Sequence, residues 1–118
     1  MSGFTLCYHI VVYVPVNAAE EFTAAVSPHI PSFIGAYDHV CWHSAPGTGQ
    51  FRPLEGAEPA EGEIGKIEQV PEIRFECLIP LDPDALSHFI QEVLTPAHPY
   101  EAPVIMVTET RLAGVFGV

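Results

Sequence analysis

Positive charge is what this sequence has least of: Arg52, Lys66, Arg74 and Arg111 stand against fifteen Asp and Glu, a formal charge of −11 at neutral pH. A field of that sign repels phosphate backbones and anionic headgroups. Nucleic acid is therefore excluded as a partner, and free nucleotides are disfavoured less decisively. Cations, basic proteins and neutral small molecules stay compatible. Cysteine is scarce too. Cys7, Cys41 and Cys77 are odd in number, widely spaced and outside any CxxC pair, which argues against a disulfide framework or a zinc ribbon and for a reducing compartment. No apolar run approaches the roughly 18 residues that cross a bilayer, and Met1 to Phe4 lacks the basic flank of a signal peptide. A cytoplasmic protein without membrane contact is expected.

What is present is enough apolar residue to fold: 48% of the chain, against 16% charged. The 118 residues fit one domain over 1–118, which buries only about two-thirds of its unfolded surface, so contacts between copies are expected to add stability. Thr5 to Val14 is β-branched and aromatic on both faces, as in a central strand. Pro15 closes it, and Asn17 with Glu20 three residues on reads as the cap of a helix reaching about Ser27. Ala36 to Ser44 reads as a second strand, with Tyr37, His39, Cys41 and His43 on one side.

Glycines and prolines crowd the stretch from Ala45 to Pro71. An excursion of that length in a compact domain is functional or carries its own strands, and Gln50 to Leu54 is expected to pair with Lys66 to Val70 as a hairpin. Glu72 to Ile79 alternates like a half-exposed strand. Asp82 as N-cap with Pro83 behind it opens a second helix that Pro96 ends. Pro103 to Thr110 reads as a last strand, followed by an apolar tail from Leu112 to Val118 that docks on its own chain or a neighbour. The order strand, helix, strand, strand, helix, strand predicts an α+β, ferredoxin-like βαββαβ fold: an antiparallel sheet with two helices on one face.

Three stretches carry a family resemblance: Gly35-Ala-Tyr-Asp-His39, Gly47-Thr-Gly-Gln-Phe-Arg-Pro-Leu-Glu-Gly56 and Ala97-His-Pro-Tyr-Glu-Ala-Pro103. Tyr8-His-Ile-Val-Val-Tyr-Val-Pro15 and Gly62-Glu-Ile-Gly-Lys-Ile-Glu68 add to it. The chain resembles the YqfO-type, CutA-like/PII-like domain that is inserted in many Ngg-interacting-factor-three-like proteins and also occurs alone; here it is similar to the free-standing form. The resemblance implies a homotrimer with sheets packed against one another, a binding or regulatory role, and no catalytic residue to carry over. Where family members often have Asn after the glycine and Cys directly after His, this chain has Ala36 and Val40, with Cys41 one place later.

Candidate sites follow from residue type. His39, Cys41 and His43 at alternate positions of a strand offer nitrogen and sulfur donors to zinc or copper, with His98 as a further ligand. His98-Pro-Tyr-Glu101 is held rigid by prolines. Either His98, Tyr100 and Glu101 meet Tyr37, Asp38 and His39 in a pocket or across a subunit boundary, or Tyr100 plugs a packed corner. The loop from Gly47 to Gly56 with Arg52 resembles a phosphate cradle only in its glycines and lacks a GK[ST] ending, leaving a small-molecule or nucleotide sensor at subunit clefts as an alternative. Cys41 beside His39 or His43 is the arrangement a thiol hydrolase would use, but nothing in the sequence identifies an oxyanion site. Binding is the leading expectation and catalysis the lesser one.

Overall fold

In a computed structural model that describes residues 3–32 and 34–114, Phe4–Pro15 forms one long strand, β1, as its β-branched and aromatic content dictates. It lies inside the sheet, antiparallel to β4 (Glu68–Pro80) on one side and to β5 (Ile105–Ala113) on the other. Two short strands, β2 (Cys41–His43) and β3 (Gly47–Phe51), follow each other along the outer edge of β4. The result is a five-stranded antiparallel sheet in the order β2-β4-β1-β5, with β3 also beside β4. Helix α1 (Val16–Val26) leads away from β1, and helix α2, residues 83–97, joins β4 to β5.

Alternation decides which face becomes the core. Tyr8, Ile10, Val12 and Val14 of β1 stand opposite Ile79, Cys77, Phe75 and Ile73 of β4, and all eight are buried together with Phe22 and Val26 of α1 and Phe89, Val93 and Leu94 of α2. Both helices therefore cover one face. Phe22 meets Phe75 edge to face with ring centroids 5.2 Å apart, the arrangement that aromatic quadrupoles favour. The α+β class, with an antiparallel sheet and two helices, is as the sequence indicates.

The boundaries differ from the sequence reading for identifiable reasons. Helix α1 starts at Val16 with Pro15 as its N-cap and no side-chain cap, so Asn17 does not cap it. Asp82 does cap α2, accepting from the N–H groups of Asp84 and Ala85 at 3.1 and 3.2 Å. Pro96 does not end α2. It has no N–H to donate, and its ring would strike the carbonyl of Glu92 in a regular helix; Phe89–Leu94 widens into a π turn, and the helix goes on to Ala97.

The expected second strand is shortened at its start and interrupted after it. Gly35, at φ 58°, and a bridge between Ile34 and Tyr37 make a turn, and His39 also has positive φ, so strand alternation reaches back only to Cys41. Beyond His43 the Ser44 N–H donates to Arg74 O and the Ser44 hydroxyl accepts from Arg74 N–H; Pro46 follows, and the ladder resumes as β3. The hairpin exists in shifted register, with Gln50 opposite Gln69 and Phe51 opposite Glu68. Leu112 and Ala113 belong to β5, while Val115 to Val118 of the expected tail lie outside the described residues.

Phe75 sits where β4 meets both β1 and α1. Phe75→Ala should lower the free energy of unfolding by about 3–5 kcal/mol, read from urea denaturation followed by circular dichroism. A loss below ~1 kcal/mol would mean that sheet and helices are not joined through this ring.

Candidate functional site

Strand β4 is offset along its central neighbour. The last pair between them is Pro15 with Glu72, so residues 68–71 of β4 run past the end of β1 and hold β3. Odd-numbered residues of β1 and even-numbered residues of β4 point away from the helices. On that face, at the overrun, a cavity of about 650 Å³ opens. Its floor is Tyr13, Glu72 and Arg74, with Phe51 of β3 on one side, Tyr100 and Val104 on another, and Pro53, Ala57 and Pro59 of the excursion above.

Two local devices fix the floor. A Cβ at residue 49 would overlap the Glu72 carboxylate, so glycine there is what leaves room for it. The Tyr100 hydroxyl donates to Glu72 Oε2 at 3.1 Å. Burial, together with the carboxylates of Glu72 and Glu61, pushes the Tyr100 phenol well above its usual range, which keeps it a proton donor. Glu101 Oε1 accepts the Glu58 N–H at 2.8 Å, tying the excursion to the corner after α2.

Behind Tyr100 the buried His98 pins that corner to the sheet. Its Nδ1 accepts the Tyr100 N–H at 3.1 Å. That ring nitrogen is therefore unprotonated, and Nε2 carries the hydrogen that goes to Tyr13 O at 2.7 Å. Burial holds the His98 pKa below its ordinary value, against the opposing pull of the Tyr13 carbonyl and of Glu72. The ring also packs edge-on to Phe22 at 5.8 Å, so it links the cavity wall to the core.

A second polar group lies further along the same face. Glu76 accepts from His9 Nε2 at 2.7 Å and from Arg74 Nε at 3.1 Å, and the Arg74 guanidinium lies over the Trp42 ring at 5.7 Å. Partial burial pushes the Glu76 carboxyl upward, but its partners His9 and Arg74 outweigh that and leave its pKa lowered. On the helix side, Cys41 stands opposite Cys77, whose thiol is pushed up to about 12 by burial and then by Cys41. Burial raises the Cys41 thiol as well, which disfavours the thiolate that a Cys41 hydrolase would use.

Of the residues singled out from sequence, Tyr100 and Glu101 line the cavity, while His98 supports it from behind. Tyr37, Asp38 and His39 do not. They lie on the exposed turn before β2, where His39 Nδ1 pairs with its neighbour Asp38 at 3.0 Å. Among the described residues no cluster of three or more His, Cys, Asp or Glu stands close enough to hold a metal. His39, Cys41, His43 and His98 are thus not one site: His39 falls before the strand, and both His98 ring nitrogens are engaged. The phosphate cradle is also lost, because Gly47–Phe51 is a paired strand and Arg52 is exposed and does not line the cavity. Sequence reasoning missed Glu72, Tyr13 and Phe51. The one available signal was Gly49, a small residue opposite a strand of larger ones.

No protein-family profile matches the chain. A GTP cyclohydrolase 1 type 2 homolog of Mycobacterium leprae is 42% identical over 93 residues, 79% of this chain and 23% of the relative. Proteins of the same description from Bacillus subtilis and Staphylococcus aureus are 37% identical over 92 residues and 31% over 111. The solved structure of a Bacillus cereus protein related to NIF3 superimposes with a TM-score of 0.72 at 33% identity, over 94% of this chain and 27% of that one. The chain spans about a quarter of the length of the curated relatives it matches, and it is homologous to that segment of them. Among the described residues no helix is long and apolar enough to cross a membrane.

The His98 arrangement has a pH signature. An unfolded histidine titrates near 6.5, and the folded one takes its proton only at lower pH, so below about 6.5 the unfolded chain binds more protons. Stability is complete above that value and is lost as the solution is acidified toward the folded-state pKa. His98→Phe keeps the ring and removes the titration, leaving Tyr13 O and the Tyr100 N–H without partners. It should cost about 1–3 kcal/mol at pH 7.5, and its deficit against the parent should shrink by pH 5 in denaturant titrations. A deficit that stays constant across that range would sink the assignment.

Proposed function

We propose, on the premise that this chain is homologous to one segment of the NIF3-related GTP cyclohydrolase 1 type 2 homologs, that it is a binding and regulatory module that works as a trimer of itself and catalyses no reaction of its own. The order of elements, with β5, β1, β4 and β2 side by side, supports a ferredoxin-like arrangement of the CutA-like, PII-like kind, and the trimer is what that resemblance implies. The name of the relatives describes proteins of which this chain matches about a quarter. No reaction is carried over from it.

One observation carries the assembly. On the face away from the helices, Trp42, Glu76, Val11 and Met106 form a row straight across β2, β4, β1 and β5. Trp42 is 56% exposed and Met106 46%, and the charge of Glu76 within that row is met by His9 and Arg74. Val11 between them is buried, so the exposed apolar residues stand at the two ends of the row with a paired carboxylate between, which supports contact with a neighbour. The shape agrees. The radius of gyration is 15.9 Å and the long axis spans 54 Å, above the ~13–14 Å radius of a compact chain of this length, an elongation that leaves more surface for a neighbour.

The reading of binding in place of catalysis rests on what the polar groups at the cavity already do. Tyr100 and Glu72 hold each other, and His98 is committed to two backbone groups. Light scattering at micromolar concentration should give three times the chain mass, and Trp42→Glu combined with Met106→Glu should shift the protein to monomer with its melting cooperativity intact. A parent chain that is monomeric at that concentration would overturn the assembly.

A further inference from the structure

We propose that the cavity above Glu72 is a binding site for an organic ammonium, a cationic nitrogen on a small apolar body. The inference deepens the reading of the chain as a binding module but does not depend on its trimer.

Charge selects the cation. Glu72, Glu61 and Glu101 line the cavity. Arg74 lines it too, but its guanidinium is turned to Glu76 and stacked on Trp42. Lys66 is paired with Glu63 at 2.7 Å, and Arg111 lies over the Phe4 ring. The cavity is therefore acidic in excess of any cation aimed into it. A phosphate or carboxylate ligand would meet repulsion there.

The walls select an organic cation over a metal ion. Tyr13, Phe51 and Tyr100 present aromatic surface, and the Phe51 and Tyr100 rings stand 6.0 Å apart at 58°, so neither covers the other's face by stacking. Ring faces attract a cation within about 6 Å of their centroids. A hard divalent ion instead needs several oxygen ligands at once, and among the described residues no cluster of that kind exists. Pro53, Ala57 and Val104 complete an apolar lining suited to a hydrocarbon body, and the volume of about 650 Å³ falls among ordinary small-molecule sites.

The carboxylate that would face the nitrogen is placed in advance. Gly49 leaves room for it and the Tyr100 hydroxyl holds one of its oxygens, so little order has to be imposed when a ligand arrives.

Three probes of one shape and different charge test this on the intact chain at low salt: benzyltrimethylammonium, benzyl alcohol and benzoate, each titrated by calorimetry and by amide chemical shifts. The ammonium should bind on the order of tenfold more tightly than the alcohol, benzoate should be weaker than both, and the shifts should centre on residues 49–51 and 100–104. Glu72→Gln, which keeps an acceptor for Tyr100, should erase most of the preference for the ammonium. Phe51→Leu should weaken the ammonium several-fold without changing the melting temperature. Equal affinity for the three probes, no binding of any of them, or shifts elsewhere would overturn the assignment. Light scattering on the same samples separates the two readings, since a monomer that still prefers the ammonium refutes the trimer alone.

Discussion

The offset register of two neighbouring strands is the constraint on which the rest depends: β1 and β4 are nearly equal in length, but Pro15 pairs with Glu72 and Cys7 with Pro80. Had β4 ended level with β1, the sheet would have closed as a plain rectangle, with helices on one side and a flat face on the other. Instead residues 68–71 of β4 have no β1 beside them. Pro71 is tolerated there because a residue without an N–H belongs where the ladder has a partner on one side only. The overrun is where β3 attaches, where the excursion folds back, and where the corner after α2 comes to rest.

That corner shows how a backbone outside regular structure is held. Its polar groups must find partners once they leave water, and His98 supplies them from both ring nitrogens. Reaching Tyr13 on β1 and Tyr100 on the corner at once needs a neutral ring of fixed tautomer, and burial against Phe22 provides the environment that keeps it neutral. The site is therefore continuous with the core. Phe75, Phe22, His98, Tyr100 and Phe51 form an unbroken chain of ring contacts from the middle of the sheet to the cavity wall.

The layers were legible because they follow from local patterns. Alternation in β1 and β4, the Asp82 cap and the helical spacing of Phe89, Val93 and Leu94 each point to one answer. What could not be read was geometry set by distant pairing. His39 and Cys41 look like successive residues of one strand face until the turn at Gly35 removes His39 from it. Glu72 looks like the polar side of an ordinary strand, and only the register of β3 against β4 reveals that Gly49 makes space for its carboxylate. Tyr100 and Glu101 were found from their rigid flanks, but their partners lie 28 and 43 positions away in the chain. No local rule reaches that far.

Arg74 marks the boundary between the two surfaces. Seen from the row across the sheet, it belongs with Trp42 and Glu76; seen from the cavity, it lies two residues along the strand from Glu72, on the same face. In a chain of net charge −11, Arg74 is, among the described residues, the one Lys or Arg that lines the cavity. Turned toward Glu76, it offsets the carboxylate of the central row and leaves Glu72 and Glu61 without that cation. The two surfaces thus meet at one side chain, whose Nε is held by Glu76 and whose guanidinium lies over Trp42.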